Sequence, residues 1–202
     1  MRKLKSALFR NLVPDRRSMM RFAAFLYFLS ALPVISHINS PVFIHSENEF
    51  TYKFTLNSSL QTDSLLFLLY DFKHVKLYST DASDQKLLST GERHYDIEIL
   101  IKYLFYSSRS VYRRIFMPES SMVKIEMIES RQNSKLFPRI LDYHARYSVI
   151  RENEFSVVSF IQNVTLDKSI NRFYLKILRE KLDEFEESLE EYIRKEEKKR
   201  AL

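Results

Sequence analysis

The feature that most constrains this chain is a long stretch without a charged residue, from Phe22 to Ser46. A helix needs about 20 apolar residues to cross the hydrocarbon core of a bilayer, and residues 20–38 meet that requirement. Residues 1–21 contain seven Lys and Arg residues and a single acid. Positively charged segments next to a membrane helix remain on the cytoplasmic side of the membrane. We therefore predict a basic cytosolic segment over 1–19 and a transmembrane helix over 20–38.

A cleaved signal peptide is the alternative interpretation of this region, because secretory signals also join basic residues to an apolar stretch. The basic lead is long for a signal peptide, and no small-x-small cleavage site follows, which favours a retained anchor. The net charge of the whole chain is +6, and residues 1–21 account for all of it. Such charge beside an apolar segment indicates membrane topology, so we expect no nucleic acid as a partner.

The chain has one glycine, Gly91, and no cysteine. The single glycine excludes glycine-rich phosphate-binding loops and the nucleophile elbow of hydrolases. The lack of cysteine excludes disulfides, thiol nucleophiles and cysteine-bound zinc. The five histidines are scattered, without a pair at metal-ligand spacing. We therefore expect no catalytic residue, no metal site and no cofactor, and we interpret the chain as a protein that is not an enzyme.

From residue 42 onward, apolar and polar residues alternate, which predicts β-strands with one buried face. The alternation is clearest at 50–57, 123–127 and 141–147. A largely apolar run at 64–72 has the length of a buried core strand. Short strands separated by turn-forming residues are typical of antiparallel sandwiches. We therefore predict an α+β fold whose main domain is an antiparallel β-sandwich over 42–154.

One amphipathic helix is predicted to interrupt the sandwich, at residues 96–116. Apolar residues recur there at helical spacing, namely Ile97, Leu100, Ile101, Leu104, Val111 and Ile115. Lys102, Arg109 and Arg113 fall on another face of the same helix. Such a helix packs on its own sheet or lies flat in a lipid interface, and the sequence leaves both possibilities open.

Two further segments close the chain. Residues 155–166 are uncharged but, as a helix, too short to cross a bilayer unaided, so we interpret them as a degenerate second transmembrane segment. A single crossing is favoured, and a short second span through a thinned bilayer is the alternative. Apolar residues every three or four positions predict a charged amphipathic helix over 167–202, which a single crossing would leave in the lumen. Two N-glycosylation sequons begin at Asn57 and Asn163 and permit a lumenal location.

Several passages occur in the order in which seipins have them. Leu32-Pro-Val-Ile-Ser-His-Ile-Asn-Ser-Pro-Val-Phe43 resembles the end of the first seipin membrane helix. Tyr52-Lys-Phe-Thr-Leu56 and Val123-Lys-Ile-Glu-Met127 resemble strands of the seipin lumenal domain, and residues 97–116 occupy the position of its hydrophobic helix. Over about residues 20 to 165, the chain therefore resembles the seipin family.

This resemblance implies a membrane protein of the endoplasmic reticulum with a cytosolic N-terminus and a lumenal main domain that forms a homo-oligomeric ring. It implies a non-catalytic scaffold for lipid droplet biogenesis that binds neutral lipid and anionic phospholipid, with a possible partner subunit. The lipid-binding residues that it implies are Leu100, Ile101, Leu104, Phe105 and Val111, with Lys102, Arg109 and Arg113 near headgroup phosphates.

Two other classes of function remain open at this point. An accessory subunit of an endoplasmic reticulum membrane complex, such as signal peptidase, also joins one N-terminal span to a lumenal sandwich. An anchored interaction module, whose C-terminal helix pairs with a partner, is the third possibility. A large closed ring in detergent would favour the scaffold over the subunit.

Overall fold

The computed structural model describes residues 41–79, 82–103, 106–133, 135 and 137–200. The strands are β1 (Val42–Ser46), β2 (Glu49–Ser58), β3 (Asp84–Thr90), β4 (His94–Tyr103), β5 (Tyr106–Met117), β6 (Met122–Gln132), β7 (Ile140–Glu152) and β8 (Phe155–Leu166). The helices are α1 (Thr62–Tyr70), α2 (Phe72–Tyr78) and α3 (Arg172–Arg200), and a short 3-10 turn spans Pro118–Ser120. Two short helices therefore separate β2 from β3, and one long helix follows the last strand.

The eight strands form one antiparallel sheet in the order β1-β2-β8-β7-β6-β5-β4-β3. Most neighbours in the sheet are also neighbours in sequence, joined by hairpins. The exception is β2, which pairs with the last strand, β8, so that Phe54 lies opposite Phe160. Phe160 in turn lies opposite Tyr147 of β7. This pairing places residues from the two ends of the described chain at the middle of one core.

Two hairpin turns use residues other than glycine in the left-handed backbone region. Glu47, between β1 and β2, has φ 41°, and Asn153, between β7 and β8, has φ 55°. Asparagine tolerates this region better than most residues because its short side chain bonds to the nearby backbone. The chain therefore forms tight hairpins although it has only one glycine.

The sheet has an inner face, on which the helices pack, and an outer face. Along β2, the side chains of Phe50, Tyr52, Phe54 and Leu56 are buried, whereas the residues between them are exposed or half-buried. The same alternation runs along β8, where Val158, Phe160 and Val164 are buried. Period-two alternation therefore assigns one side of each central strand to the core.

Aromatic rings fill the core between the inner face and α3. The Phe160 ring lies 4.9 Å from Phe54, 4.8 Å from Tyr147 and 5.5 Å from Phe185 of α3, measured between ring centroids. Leu189 and Ile193, one and two turns further along α3, are fully buried. The long C-terminal helix is therefore held by its apolar stripe, as the sequence pattern indicates.

Polar side chains also tie α3 to β2. The buried Tyr52 hydroxyl donates to Asp183 Oδ1 at 3.1 Å and to Glu186 Oε2 at 2.8 Å. Near the C-terminal end of the helix, Ser58 Oγ donates to Glu197 Oε1 at 2.7 Å. Hydrogen bonds to carboxylates are stronger than neutral ones, so these contacts fix the position of α3 along the strand.

The predicted sandwich of two sheets is wrong, because a single sheet packs against helices. The predicted core strand at 64–72 is instead largely the helix α1, Thr62–Tyr70. Its four buried residues, Leu65, Leu66, Leu68 and Leu69, are spaced to share one helix face. A short apolar run has no periodicity that separates a strand from a buried helix, which explains the error.

The predicted amphipathic helix at 96–116 is wrong as well, because these residues form the hairpin of β4 and β5. Ile97 lies opposite Tyr112, and Ile99 lies opposite Ser110. β4 has Leu100 on the outer face and isoleucines on the inner face, so its apolar residues recur three and four positions apart. Apolar side chains on both faces of a strand therefore imitate the spacing of a helix.

The segment interpreted as a degenerate membrane span, 155–166, is the strand β8. It lacks charges because it lies inside the sheet between β2 and β7, where its outer face also carries Val157 and Ile161. The C-terminal helix predicted over 167–202 is present as α3, Arg172–Arg200, and packs on the sheet.

The predicted basic segment 1–19 and transmembrane helix 20–38 lie outside the described residues. Among the helices that the structure describes, none combines the length and apolar character needed to cross a lipid bilayer.

Candidate functional site

The residues predicted to bind lipid lie on β4 and β5, not on one helix face. Leu100 and Lys102 are on the outer face, whereas Ile101, between them, is on the inner face and 38% exposed. Val111 is buried on β5. Leu104 and Phe105 are outside the described residues. The described members of this set therefore point to both sides of the sheet and share no single apolar surface.

Two of the three cations that the sequence analysis predicts near lipid phosphates, Arg109 and Arg113, are paired with acids. Arg113 Nε and Nη2 donate to the two carboxylate oxygens of Asp96 at 2.8 and 3.0 Å. The hydrogen bonds from Arg113 hold the pKa of Asp96 below its usual value. Arg109 Nη1 lies 3.6 Å from Glu98 Oε2. These cations therefore pair with carboxylates of the adjacent strand β4.

The two sequon asparagines lie on the outer face of the sheet, Asn57 on β2 and Asn163 on β8. Both side chains are exposed. Asn163 Oδ1 accepts a hydrogen bond from Thr51 Oγ1 at 2.8 Å. Their use as glycosylation acceptors stays a prediction.

The inner face carries a buried cation that the sequence analysis missed. Arg114 of β5 lies between Tyr95 of β4 and Ile125 of β6, and its side chain is 5% exposed. Tyr112 and Phe116, two positions away on either side, share its face of the strand. A charged residue at an apolar position of an alternating strand was therefore the signal that could have identified it.

Arg114 holds the end of α1 and touches the tyrosines around it. Its Nη2 donates to the Leu69 carbonyl oxygen at 2.6 Å and lies 3.3 Å from the Tyr78 hydroxyl. Its guanidinium carbon lies 5.7 Å from the centre of the Tyr147 ring, within the range of a cation–π contact. The carbonyl at the C-terminal end of a helix carries partial negative charge, which suits a cation.

The hydrogen bonding of Arg114 is incomplete. Its Nε is buried and has no hydrogen-bond partner in the described structure. Among the ion pairs of the described residues, none includes Arg114, so no carboxylate neutralises it. Arginine keeps its charge in proteins. Within the part of the chain that the structure describes, the core therefore contains a positive charge without a counter-ion.

The surrounding tyrosines do not supply that counter-ion. Burial raises the pKa of Tyr147 well above its ordinary value, and burial also raises the pKa of Tyr78 and of Tyr143. For Tyr78, the nearby Arg114 partly opposes this shift. These phenols remain protonated at neutral pH, so they can donate hydrogen bonds but carry no negative charge.

A second incompletely bonded side chain lies at the end of α2. Gln85 of β3 is buried, and its Nε2 donates to the Ser79 carbonyl oxygen at 3.1 Å. Its Oε1 is buried without a hydrogen-bond partner in the described structure. Arg114 contacts Tyr78, the residue before Ser79. One unbonded acceptor therefore lies at the end of α2, and one unbonded donor belongs to the arginine that contacts the side chain of the last residue of that helix.

An apolar strip leads along the inner face of β3 and β4 towards Arg114. Ile97, Ile99 and Ile101 share that face, and Leu87 of β3 lies opposite Ile97. Ile97 is buried, whereas Ile101 and Leu87 are 38% and 39% exposed. Strands rise about 3.4 Å per residue, so the strip from Ile101 to Tyr95 is about 20 Å long. It connects a partly open end with the buried cation.

Within the residues that the structure describes, no group of three or more His, Cys, Asp or Glu side chains could hold a metal ion.

Comparison with known proteins identifies the fold. No protein-family model and no curated protein matches the sequence. An aromatase/cyclase from a Streptomyces species matches with a TM-score of 0.60 and 9% identity, over 76% of this chain and 96% of that chain. A START superfamily protein from Mycobacterium smegmatis matches with a TM-score of 0.56 and 9% identity, over 74% and 99%. A STAR-related lipid transfer protein from Xanthomonas axonopodis matches with a TM-score of 0.55 and 12% identity, over 76% and 98%.

At such low identity these likenesses show the fold alone. The chain has the helix-grip fold of START and Bet v1-like proteins, in which an antiparallel sheet packs against a long C-terminal helix. The resemblance to seipins is therefore wrong. Its motifs were short alternating strands, and any antiparallel sheet with one buried face produces such patterns.

The functional expectations that the seipin resemblance implied are therefore corrected as well. The described residues and the structural neighbours do not support a lipid droplet scaffold, a homo-oligomeric ring or a location in the endoplasmic reticulum membrane. They likewise do not support an accessory subunit of signal peptidase, since the fold is not the predicted sandwich. The binding of a lipid-like molecule is the part of the prediction that is compatible with the neighbours.

Proposed function

We propose that this protein binds a small amphiphile whose anionic head reaches Arg114 and whose apolar body lies along the strip on β3 and β4. The observation that carries this proposal is the buried Nε of Arg114, which has no hydrogen-bond partner and no counter-ion in the described structure. The partly exposed Ile101 marks the end from which the apolar body would lead inwards.

Electrostatics favour an anionic head over a neutral one. An unpaired buried charge costs several kcal/mol, because the low-dielectric interior does not replace its hydration. A carboxylate at Nε would supply the missing acceptor and the missing negative charge together. Charge-assisted hydrogen bonds between arginine and carboxylate are about twice as strong as neutral ones. The site therefore gains most from a ligand with a carboxylate or a similar oxyanion.

We propose binding rather than a chemical reaction at this site. The groups that face Arg114 are phenols with raised pKa values and a backbone carbonyl, so none of them is a base at neutral pH. Solved structures with the same fold include an aromatase/cyclase and a STAR-related lipid transfer protein, so the fold is compatible with either activity. The arrangement around Arg114 favours the holding of an amphiphile.

The test compares two ligands that differ only in the head. Lauric acid and lauryl alcohol are each used to displace a fluorescent fatty-acid probe from the full chain. The wild-type protein should bind the acid at least about tenfold more tightly than the alcohol, which corresponds to about 1.4 kcal/mol. Arg114→Met should abolish this preference while it leaves weak binding of both ligands.

Arg113→Met is the matched control, because the neighbouring arginine points to the outer face and pairs with Asp96. This variant should keep the preference for the acid. Equal affinity of the wild-type protein for the two ligands, or equal effects of the two substitutions, would contradict the proposal.

A further inference from the structure

The outer face of the sheet contains a cavity of about 360 Å³, on the side opposite Arg114. Its lining includes Lys53 and Thr55 of β2, Ser159 and Ile161 of β8, and Arg146 and Ser148 of β7. With Val42 of β1 it spans four adjacent strands, and the sheet itself separates it from the amphiphile site.

The register of the strands explains why a depression forms there. Thr55 lies opposite Ser159, and Ser159 lies opposite Ser148, which makes a row of short hydroxyl side chains across the three strands. In the neighbouring row, Ile161 lies between Lys53 and Arg146. Strands are about 4.8 Å apart, so the two cations start about 10 Å from each other. The short row forms the floor of the cavity, and the long row forms one wall.

The two cations of this wall lack the carboxylate partners that several other cations on the same face have. Arg113, Arg109 and Lys124 each pair with a carboxylate on their own or the adjacent strand. Lys53 and Arg146 have no ion-pair partner among the described residues, although both line the cavity. Lys86 and Lys102 on the same face also lack an ion-pair partner among the described residues, so what distinguishes Lys53 and Arg146 is that both line one concave part of the surface.

We propose that this cavity is a binding site for a phosphate ester. Arginine presents a planar fork of donors that matches phosphate oxygens, and lysine adds a mobile point charge. The hydroxyls of Ser148 and Ser159 supply further donors at the floor, and Ile161 offers a small apolar contact. The ester comes either from a free organic phosphate or from a phospholipid headgroup, and both present anionic phosphate oxygens to Lys53 and Arg146.

The experiment uses the full chain and two forms of the ester. Glycerol 3-phosphate is titrated by calorimetry, with glycerol as the uncharged control. Vesicles of phosphatidylglycerol are compared with vesicles of phosphatidylcholine by flotation. The proposal predicts that Lys53→Gln and Arg146→Gln each weaken binding by about tenfold or more, since each removes a charged hydrogen-bond donor.

Two more variants distinguish binding at a specific site from a general effect of positive surface charge. Lys86→Gln removes one exposed cation of β3 away from the cavity and should leave binding unchanged. Ser159→Leu keeps every charge but fills the floor, and it should weaken binding by about tenfold. The melting temperature of each variant verifies that it is folded.

The outcomes assign the source of the ester or overturn the site. Binding of glycerol 3-phosphate with the predicted variant pattern supports the site and a free organic phosphate. Binding of phosphatidylglycerol vesicles alone, with the same pattern, supports the site and a lipid headgroup. Absence of both, or an equal loss in Lys86→Gln, overturns the proposal and leaves a solvated basic surface. None of these outcomes depends on Arg114.

Discussion

Replacement of Arg114 by methionine tests whether the buried cation is kept for binding or for stability. The side chain is 5% exposed and lacks a counter-ion among the described residues, so its charge is desolvated without compensation. Its partner Leu69 O also accepts a hydrogen bond from the Tyr78 hydroxyl at 3.2 Å. The Leu69 carbonyl oxygen therefore keeps a hydrogen-bond donor when Arg114 is replaced, so the substitution does not leave this buried acceptor unpaired.

The expected change in stability follows from three terms. The variant loses a charged hydrogen bond, worth about 1.5–3 kcal/mol, and a cation–π contact to Tyr147, worth about 0.5–2 kcal/mol. It gains by removing an unpaired buried charge, whose effective penalty is several kcal/mol, and by adding an apolar side chain to the core. We therefore expect Arg114→Met to be as stable as the wild type or up to about 3 kcal/mol more stable.

The measurement is thermal and urea unfolding of the ligand-free protein. One kcal/mol corresponds to about 2–4 °C in a chain of this size, so the melting temperature should stay the same or rise by several degrees. Arg113→Met, on the outer face, serves as the control for general effects of losing an arginine. A fall of more than about 4 °C in Arg114→Met, but not in the control, would show that Arg114 mainly fastens α1 to the sheet. The reasoning about an uncompensated charge would then be refuted.

Three further changes test the packing of α3. Burial raises the folded-state pKa of Glu186; the hydrogen bond from Tyr52 opposes this shift, and neighbouring carboxylates add to it. Ionisation of Glu186 therefore lowers the stability of the fold as the pH rises above the ordinary pKa of 4.5. Glu186→Gln should therefore melt higher than the wild type at pH 7 and equally at pH 4, and a constant difference across that range would contradict the shift. Tyr52→Phe removes the donor shared by Asp183 and Glu186 and should cost about 1–3 kcal/mol in urea unfolding, whereas an unchanged midpoint would show that the two bonds are unimportant. Leu189→Ala should cost about 2–5 kcal/mol because Leu189 is fully buried against the sheet, and a loss below about 1 kcal/mol would mean that α3 is not anchored there.

The sequence predicted the strands whose two faces differ in polarity. In β2, buried Phe54 alternates with exposed Lys53, and in β7, buried Tyr147 alternates with exposed Arg146. The same signal fails where both faces are apolar, as in β8, because the alternation then disappears. The C-terminal helix was also predictable, since its apolar stripe is long and its other face is charged.

The β4–β5 hairpin could not be predicted by turn chemistry. The sequence between the two strands, Leu104-Phe105, contains no Gly, Pro, Asn or Asp, the usual residues of tight turns. Because no turn signal separates them, the sequences of β4 and β5 together show the apolar spacing of one helix. The pairing of β2 with β8 is a tertiary contact between distant parts of the chain, which a single sequence does not encode in any local pattern.

The candidate site was missed for a related reason. Arg113 and Arg114 are identical residues at adjacent positions, and only the phase of the strand decides that Arg113 faces outwards and Arg114 faces inwards. In the strand β5, Arg114 lies on the same face as Tyr112 and Phe116, because the three residues are two positions apart. A wrong assignment of secondary structure therefore hid the one buried cation of the described inner face.

The most direct test of the central claim observes the Nε–H group of Arg114 by NMR. The resonance is assigned by its loss in Arg114→Met and followed while lauric acid is added to the full chain. A ligand carboxylate that bonds to Nε should shift this resonance strongly downfield and leave the Nε–H resonance of Arg113 in place. An Arg114 resonance that stays unchanged while the acid binds would contradict the account.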